Sequence, residues 1–408
     1  MARHESAAAG PGSRALIVDL IRSSGPISRV ELVKATRLTQ PTISNIVRRL
    51  IEDGVVRETG DTIATRGKPR TMLVINSRAA YGVGIHVGAD TLTCVVTDTR
   101  GGTVGRQLVA APTGGKPGDV VERLAALYRD VTGGLGLPPR SVAGMAVVGP
   151  GPVDVARGRF LTLPGLTGSA ELDLAAALTA ELGVPVLVDG DAAAATVGEF
   201  WGRQVSRDRT FGCLYMNSGI GSGVVLDGAL HRGASSNAGK IGHIAVVRDG
   251  APCACGNRGC LERYAASGVL VGRARADEKM IERLRIRADD PDARAFDVLA
   301  RAALYGDEQA RALVDESAEL LAEGAMVLAN LWDLDTLVLA GPGFAIAGSI
   351  YVTEIRRRLA ECAFGRDVHG IQVDLSSNPR DSAAIGGAAL VLQGSVAPGH
   401  GPQVPARS

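Results

Sequence analysis

No stretch of these 408 residues approaches the roughly 20 consecutive apolar residues of a membrane span, and Met1 to Ser13 lacks the apolar core of a signal peptide. The chain is therefore expected in the cytoplasm, with no membrane partner. Cysteine is sparse. Of six, Cys94, Cys213 and Cys362 stand singly in apolar surroundings and read as core residues, which excludes a disulfide framework. Neither sign of charge dominates, with 44 Lys and Arg against 43 Asp and Glu, but the balance is uneven along the chain. Residues 1–76 carry +5 and the remainder −4, a small basic head on a mildly acidic body, as expected where the head meets a polyanion. Apolar residues make up 46% and 53 glycines are spread throughout, so the protein is globular and rich in turns. Its length suits two or three domains, a small reader and a larger sensor.

Residues 1–13 and 394–408 are Ala, Gly and Ser rich, and are expected to be a disordered N-terminus and a flexible tail without chemistry. Between Arg14 and Arg57 three helical segments follow one another, the second opening at Ser28. The third is the clearest: Ile43, Ile46, Val47, Leu50 and Ile51 repeat at helical spacing, Thr39 is placed to cap it, Pro41 is tolerated in its first turn and Gly54 ends it. With that stripe facing inward, Gln40, Thr42, Ser44, Asn45, Arg48 and Arg49 point outward, side chains suited to base edges and phosphates. On a lone helix the same residues would read as an ordinary solvated face. Here two helices precede at helix-turn-helix spacing. A strand at Val55–Glu58, the basic loop Arg66-Gly67-Lys68-Pro69-Arg70 and a strand at Thr71–Ile75 follow, so residues 14–76 are expected to form a winged helix-turn-helix. Arg66, Lys68 and Arg70 would be its wing contacts with double-stranded operator DNA.

Beyond Tyr81 the pattern becomes short strands joined by glycine turns, at Gly82–Val87, Thr91–Asp98 and Thr103–Val109. A similar unit recurs from Phe211, where Cys213–Asn217 leads through Ser218–Gly223 into Val224–Asp227. Helices are expected at Asp119–Asp130, Leu172–Leu182 and Asp307–Leu331, so residues 77–393 read as a duplicated α/β body of two lobes. Within it, His243 is followed by Cys253-Ala254-Cys255-Gly256-Asn257-Arg258-Gly259-Cys260-Leu261-Glu262. Three thiolates, Cys253, Cys255 and Cys260, with the imidazole of His243 complete a tetrahedral Zn2+ shell. Because all four positions are filled, the metal would be structural, one per chain, and would organise the loop carrying His243 and Glu262. Reduced cysteines in a surface loop are the plainer alternative.

That cysteine run, with Gly242-His243-Ile244 before it, resembles the ROK family, the repressors, open reading frames and sugar kinases that share an actin-like two-lobed fold. The resemblance extends from Arg14 to about Leu392 and implies an α/β protein, a winged helix-turn-helix followed by a two-lobed, sugar-kinase-like sensor. It also implies a sugar site. Asp191 matches the Asp that serves the kinases as general base, here a vestigial position, and His243 and Glu262 match sugar-contacting residues. Thr162 and Lys240 stand at ligand-binding positions where the family has Asn and Glu. Lys240 is expected to pair with Asp191 or Glu262, or to meet an anionic group on the ligand. On the nucleotide side, His86 replaces the Asp of the family's phosphate loop and Ala89 its second glycine, removing parts that phosphoryl transfer needs. Ser218–Gly223 and Gly341-Pro342-Gly343 resemble phosphate and adenosine contacts but also suit turns that the fold itself requires. The resemblance thus implies a regulator, by expectation a repressor of carbohydrate metabolism or uptake, controlled by a sugar or sugar derivative and acting as a homodimer or dimer of dimers. The alternative is an ATP-dependent sugar kinase with an accessory DNA-binding head, supported by Asp191 and opposed by His86, Ala89, Thr162 and Lys240.

Overall fold

The computed structural model describes residues 11–63, 70–111, 116–164 and 169–396. The expectations placed on residues 1–10, on Arg66 and Lys68, and on residues 397–408 lie outside them. The head opens with α1 (Pro11–Ser23), so residues 11–13 belong to a helix rather than to the disordered start that composition suggested. Ala15, Ile17, Val18 and Ile21 fill one buried face of α1. A two-residue strand, β1 (Ile27–Ser28), precedes α2 (Arg29–Thr36), whose capping box pairs the Ser28 side chain with the Glu31 backbone and the Glu31 carboxylate with the Ser28 backbone. Next comes α3 (Gln40–Glu52), with Thr39 accepting from the Thr42 N–H and Ile43, Ile46, Val47 and Leu50 buried. Gly54, at φ +72°, supplies the left-handed turn into β2 (Val56–Ile63), which pairs antiparallel with β3 (Arg70–Ile75). The sheet order β1-β3-β2 beneath three helices is a winged helix-turn-helix.

In the first lobe, β4 (Tyr81–Val87), β5 (Thr91–Asp98) and β6 (Thr103–Ala110) form an antiparallel meander. The chain then passes through α4 (Pro117–Gly134), β7 (Val142–Gly149), the small hairpin β8 (Val153–Asp154) and β9 (Arg159–Phe160), and α5 (Leu174–Leu182) into β10 (Val186–Gly190). Both β7 and β10 add in parallel, giving the order β10-β7-β4-β5-β6. After α6 (Asp191–Gly202), β11 (Phe211–Met216), β12 (Ile220–Leu226) and β13 (Ala229–Leu230) make a second meander. Helices α7 (Glu262–Ala265), α8 (Ser267–Arg275), α9 (Glu278–Leu284), α10 (Asp292–Leu304) and α11 (Glu308–Trp332) intervene before β14 (Thr336–Ala340). Then come α12 (Gly348–Cys362), β15 (Gln372–Leu375) and α13 (Ser382–Val396), so residues 394–396 belong to a helix rather than to the flexible tail that composition suggested. The second sheet runs β13-β12-β11-β14-β15, with β14 and β15 parallel to β11. Each sheet is thus a meander extended by two parallel strands, the duplication expected from the repeated glycine-punctuated pattern.

Small residues set how the lobes meet. At Gly82 and Gly84 of β4 a side chain would strike the α13 backbone at Ala388 and Ala384, and at Gly198 of α6 a Cβ would lie 2.8 Å from the Gly386 Cα. Helix α6 therefore packs backbone to backbone on α13 while its other face meets β11 and β12. Gly221 and Gly223, whose run resembles a phosphate loop but also suits a turn that the fold requires, lie inside β12, where a Cβ at Gly221 would sit 2.7 Å from the Ala192 Cβ and one at Gly223 would collide with Thr196. These glycines admit α6. Gly341, at φ +101°, packs against the Met216 backbone, so the Gly341-Pro342-Gly343 segment is likewise accounted for by the fold.

Candidate functional site

On α3, Gln40, Ser44, Asn45, Arg48 and Arg49 are exposed and Thr42 is half-buried, hydrogen-bonded through its hydroxyl to Thr39 at 2.8 Å. Arg48 donates to Asn45 Oδ1 at 2.8 Å, which holds two candidate base-reading side chains side by side. Arg70 is half-buried at the start of β3, within electrostatic reach of Glu31. The six helical positions thus form one continuous polar surface on the outside of the head.

Between the lobes lies a cavity of about 980 Å³ whose lining includes Asp191, Tyr215, Lys240, His243 and Glu262. Asp191 is the first residue of α6, and its Oδ1 accepts from the Ala192 N–H at 2.8 Å, fixing the carboxylate at the helix N-terminus where the dipole favours it. His86 Nε2 stands 3.9 Å from Asp191 Oδ2. Burial lowers the His86 pKa against the opposing pull of Asp191 and Asp381, so a neutral imidazole stands beside the Asp191 carboxylate. Burial, followed by the charge of Asp191, raises the Tyr215 hydroxyl well above its ordinary range, so it remains a neutral donor. Tyr215 went unnoticed in the sequence because it reads as one more apolar strand residue; only the strand's position under Asp191 reveals it.

Lys240 is not paired as expected. Its ammonium donates to the Gly151 carbonyl oxygen at 3.3 Å, across the cleft from its own lobe, rather than to Asp191 or Glu262. Other polar ties cross between the lobes. Asn237 accepts from the Val153 N–H at 3.0 Å and donates to the Val153 carbonyl oxygen at 2.9 Å, while Arg232 meets the buried Asp189 carboxylate at 2.8 Å. Thr162 lies at the rim beside Gly151 and is exposed, outside the cavity lining.

Cys253, Cys255, Cys260 and His243 converge so that their ligand atoms all lie within 4.8 Å of one another. Two thiolates on a tetrahedral zinc would stand about 3.8 Å apart. The Cys255 and Cys260 sulfurs are 3.7 Å apart and Cys253 Sγ is 3.6 Å from His243 Nδ1, so donor chemistry and spacing both fit a closed metal shell. Nδ1 faces the sulfurs, which leaves Nε2 available to the cavity. Glu262 Oε1 lies 3.3 Å from the same Nδ1, so the cluster and the cavity share a wall.

With this geometry in view, comparison with known proteins is informative. A model of the ROK family matches residues 82–394, and one of a winged helix-turn-helix DNA-binding domain matches residues 15–57. The chain is 26% identical over 381 residues to a putative xylose repressor of Caldicellulosiruptor sp. (strain Rt8B.4), covering 93% of this chain and 95% of that protein. A solved ROK family transcriptional regulator, a homologue of the Escherichia coli MLC protein, superposes with a TM-score of 0.73 at 25% identity and covers 95% of this chain and 97% of its own. A ROK family glucokinase from Streptomyces griseus, solved with glucose and AMPPNP, has a TM-score of 0.64 at 26% identity. It covers 76% of this chain and 99% of its own. The kinase is matched almost whole while about a quarter of the present chain is left over.

Proposed function

Because this chain belongs to the ROK family and carries a winged helix-turn-helix ahead of the family domain, we propose that it is a DNA-binding transcriptional regulator, a repressor of carbohydrate metabolism or uptake genes. Acting in the cytoplasm as a homodimer or dimer of dimers, it would place two copies of α3 in successive major grooves of an operator. Gln40, Asn45 and Arg48 would read base edges, and Thr42, Ser44, Arg49 and the wing residues Arg66, Lys68 and Arg70 would fix the phosphate register. The observation that supports this reading is the joining of an exposed polar face on α3 to a body whose interlobe cavity is lined by Asp191, His243 and Glu262, with His86 beside Asp191.

In the cleft, Asp191, Glu262 and the Nε2 of His243 would accept or donate to sugar hydroxyls, with Lys240 and Thr162 at the rim shaping which sugar enters. Zinc held by Cys253, Cys255, Cys260 and His243 would supply a rigid crosslink and no reaction. Under this reading Glu262 and His243 are held toward the ligand because the loop that carries them is anchored at four points. The effector class is a neutral or acidic monosaccharide. Reaction with ATP is not part of the proposal, since a base at Asp191 needs a positioned donor phosphate and the neutral His86 offers no metal or phosphate contact of the usual kind. The test is selection of DNA from a random duplex pool by the full chain, followed by sugar titration of the selected complex. Recovery of a palindromic site whose occupancy changes with a monosaccharide supports the proposal. Failure to select any sequence above background removes it.

A further inference from the structure

The DNA-binding head and the ligand cleft are joined by more than the chain that connects them. Helix α6 begins in the cleft at Asp191 and ends at Gly202, where Arg22 of α1 reaches it. The Arg22 guanidinium donates to the carbonyl oxygens of Phe200 at 3.3 Å, Trp201 at 3.1 Å and Val205 at 2.9 Å. Its carbon lies 5.0 Å from the centre of the Phe200 ring and 4.9 Å from that of Trp201. Arg22 is only 4% exposed, and Asp19 in the preceding turn pairs with it at 2.7 Å. A cation set on the last carbonyls of a helix is favourably placed against the helix dipole. The apolar contacts agree. One continuous buried cluster contains Ile17, Ile21 and Leu50 of the head together with Ala194, Phe200 and Trp201 of α6.

A helix of 12 residues is a rod about 18 Å long that shifts more readily than it bends. This rod lies between the two lobes. One face packs through Gly198 on Gly386 of α13, which rests on the first lobe's sheet, and another packs through Ala192 and Thr196 on Gly221 and Gly223 of the second. Opening or closing the cleft must therefore displace α6 relative to at least one lobe, and its far end is clasped by the head. The covalent link from β3 to β4 reaches the first lobe alone.

We infer that α6 transmits the state of the cleft to the recognition helix, and that Arg22 is the positioning residue that couples the head to it. The inference rests on the regulator reading above, but its test needs no knowledge of the effector. The cleft can be loosened from within by Asn237→Ala, which removes both hydrogen bonds to Val153, a contact that involves no residue of the head. Dissociation constants are measured for full-length wild type, N237A, R22M and the double variant, on a duplex selected by the wild type from a random pool. Circular dichroism confirms that each is folded. We expect N237A to change DNA affinity about fivefold or more in the wild-type background, within the usual range of allosteric coupling, and less than about twofold in the R22M background. Should R22M fail to fold, R22K keeps a cation beside Asp19 but loses the guanidinium fork, and carries the same expectation. An N237A effect of equal size with and without Arg22, or none in either background, overturns the inference while leaving the regulator reading intact. A wild-type chain that selects no DNA removes that reading and the inference with it.

Discussion

Arg48 offers a prediction that can be worked through from contacts alone. Its side chain is 68% exposed, donates to Asn45 and stands 3.9 Å from Glu52, itself 64% exposed. Pairs so open to solvent contribute little to folding, so Arg48→Ala should change stability by less than about 0.5 kcal/mol. No buried methylene is removed from the α3 stripe of Ile43, Ile46, Val47 and Leu50, so no cavity term arises. The effect on DNA is larger. Loss of a bidentate contact to a base costs about 1–3 kcal/mol, an increase of roughly 5- to 150-fold in the dissociation constant. Loss of a phosphate contact alone would instead lower the slope of log affinity against log salt by about 0.9, with weakening that is uniform across sequences. Fluorescence anisotropy on the selected duplex at several salt concentrations, beside a urea melt, measures both. Unchanged affinity and slope in a folded variant would refute the assignment of the outer face of α3 to DNA.

Four further outcomes are expected. Freshly purified protein should carry one zinc per chain by elemental analysis, and Cys255→Ser should lower both metal content and melting temperature, because metal binding at such a site adds directly to folding free energy; metal-free protein of undiminished stability would contradict it. Incubation with ATP, magnesium and glucose or xylose should yield no sugar phosphate, and turnover at ordinary kinase rates would restore the enzyme reading. Lys240→Glu breaks the tie to Gly151 and places an acceptor beside His243, so calorimetry should show preference moving toward neutral hexoses; identical ligand profiles would place Lys240 outside the site. His86 is held below the ordinary histidine value of 6.5, so the unfolded chain binds more protons on acidification and wild type should lose stability as pH falls below that value. In urea melts His86→Gln should show a shallower loss over the same range, and superimposable profiles would show that His86 does not titrate on unfolding.

Much of this architecture is legible because it is local. The α3 stripe, its Thr39 cap and the glycine that ends it are set by neighbours within a turn or two. The convergence of His243 with Cys253, Cys255 and Cys260 could be read because three close thiols and one histidine have few other uses than holding a metal. What escaped the sequence depends on tertiary approach. Gly221 and Gly223 resemble a phosphate loop until the α6 residues that need the space are seen against them. Lys240 lines the same cavity as Asp191 and Glu262, yet its partner is a carbonyl on the other lobe. Arg22, three residues after Asp19, looks like an ordinary surface pair on an amphipathic helix, and its burial under Trp201 is settled by a domain contact spanning 179 residues. Asp191, His243 and Glu262 are named by the family resemblance alone, and all three line one cavity.

On the proposed reading, one chain couples monosaccharide binding to operator occupancy. The most direct test is an anisotropy titration of the full-length protein on its selected duplex at fixed salt, with xylose, glucose, an N-acetylhexosamine and their phosphates added in turn. At least one of these should shift the operator dissociation constant by about tenfold, in the range typical of allosteric effectors, and Asp191→Ala should abolish that shift. An operator affinity indifferent to every sugar, or a shift that survives unchanged in the Asp191 variant, would contradict the account.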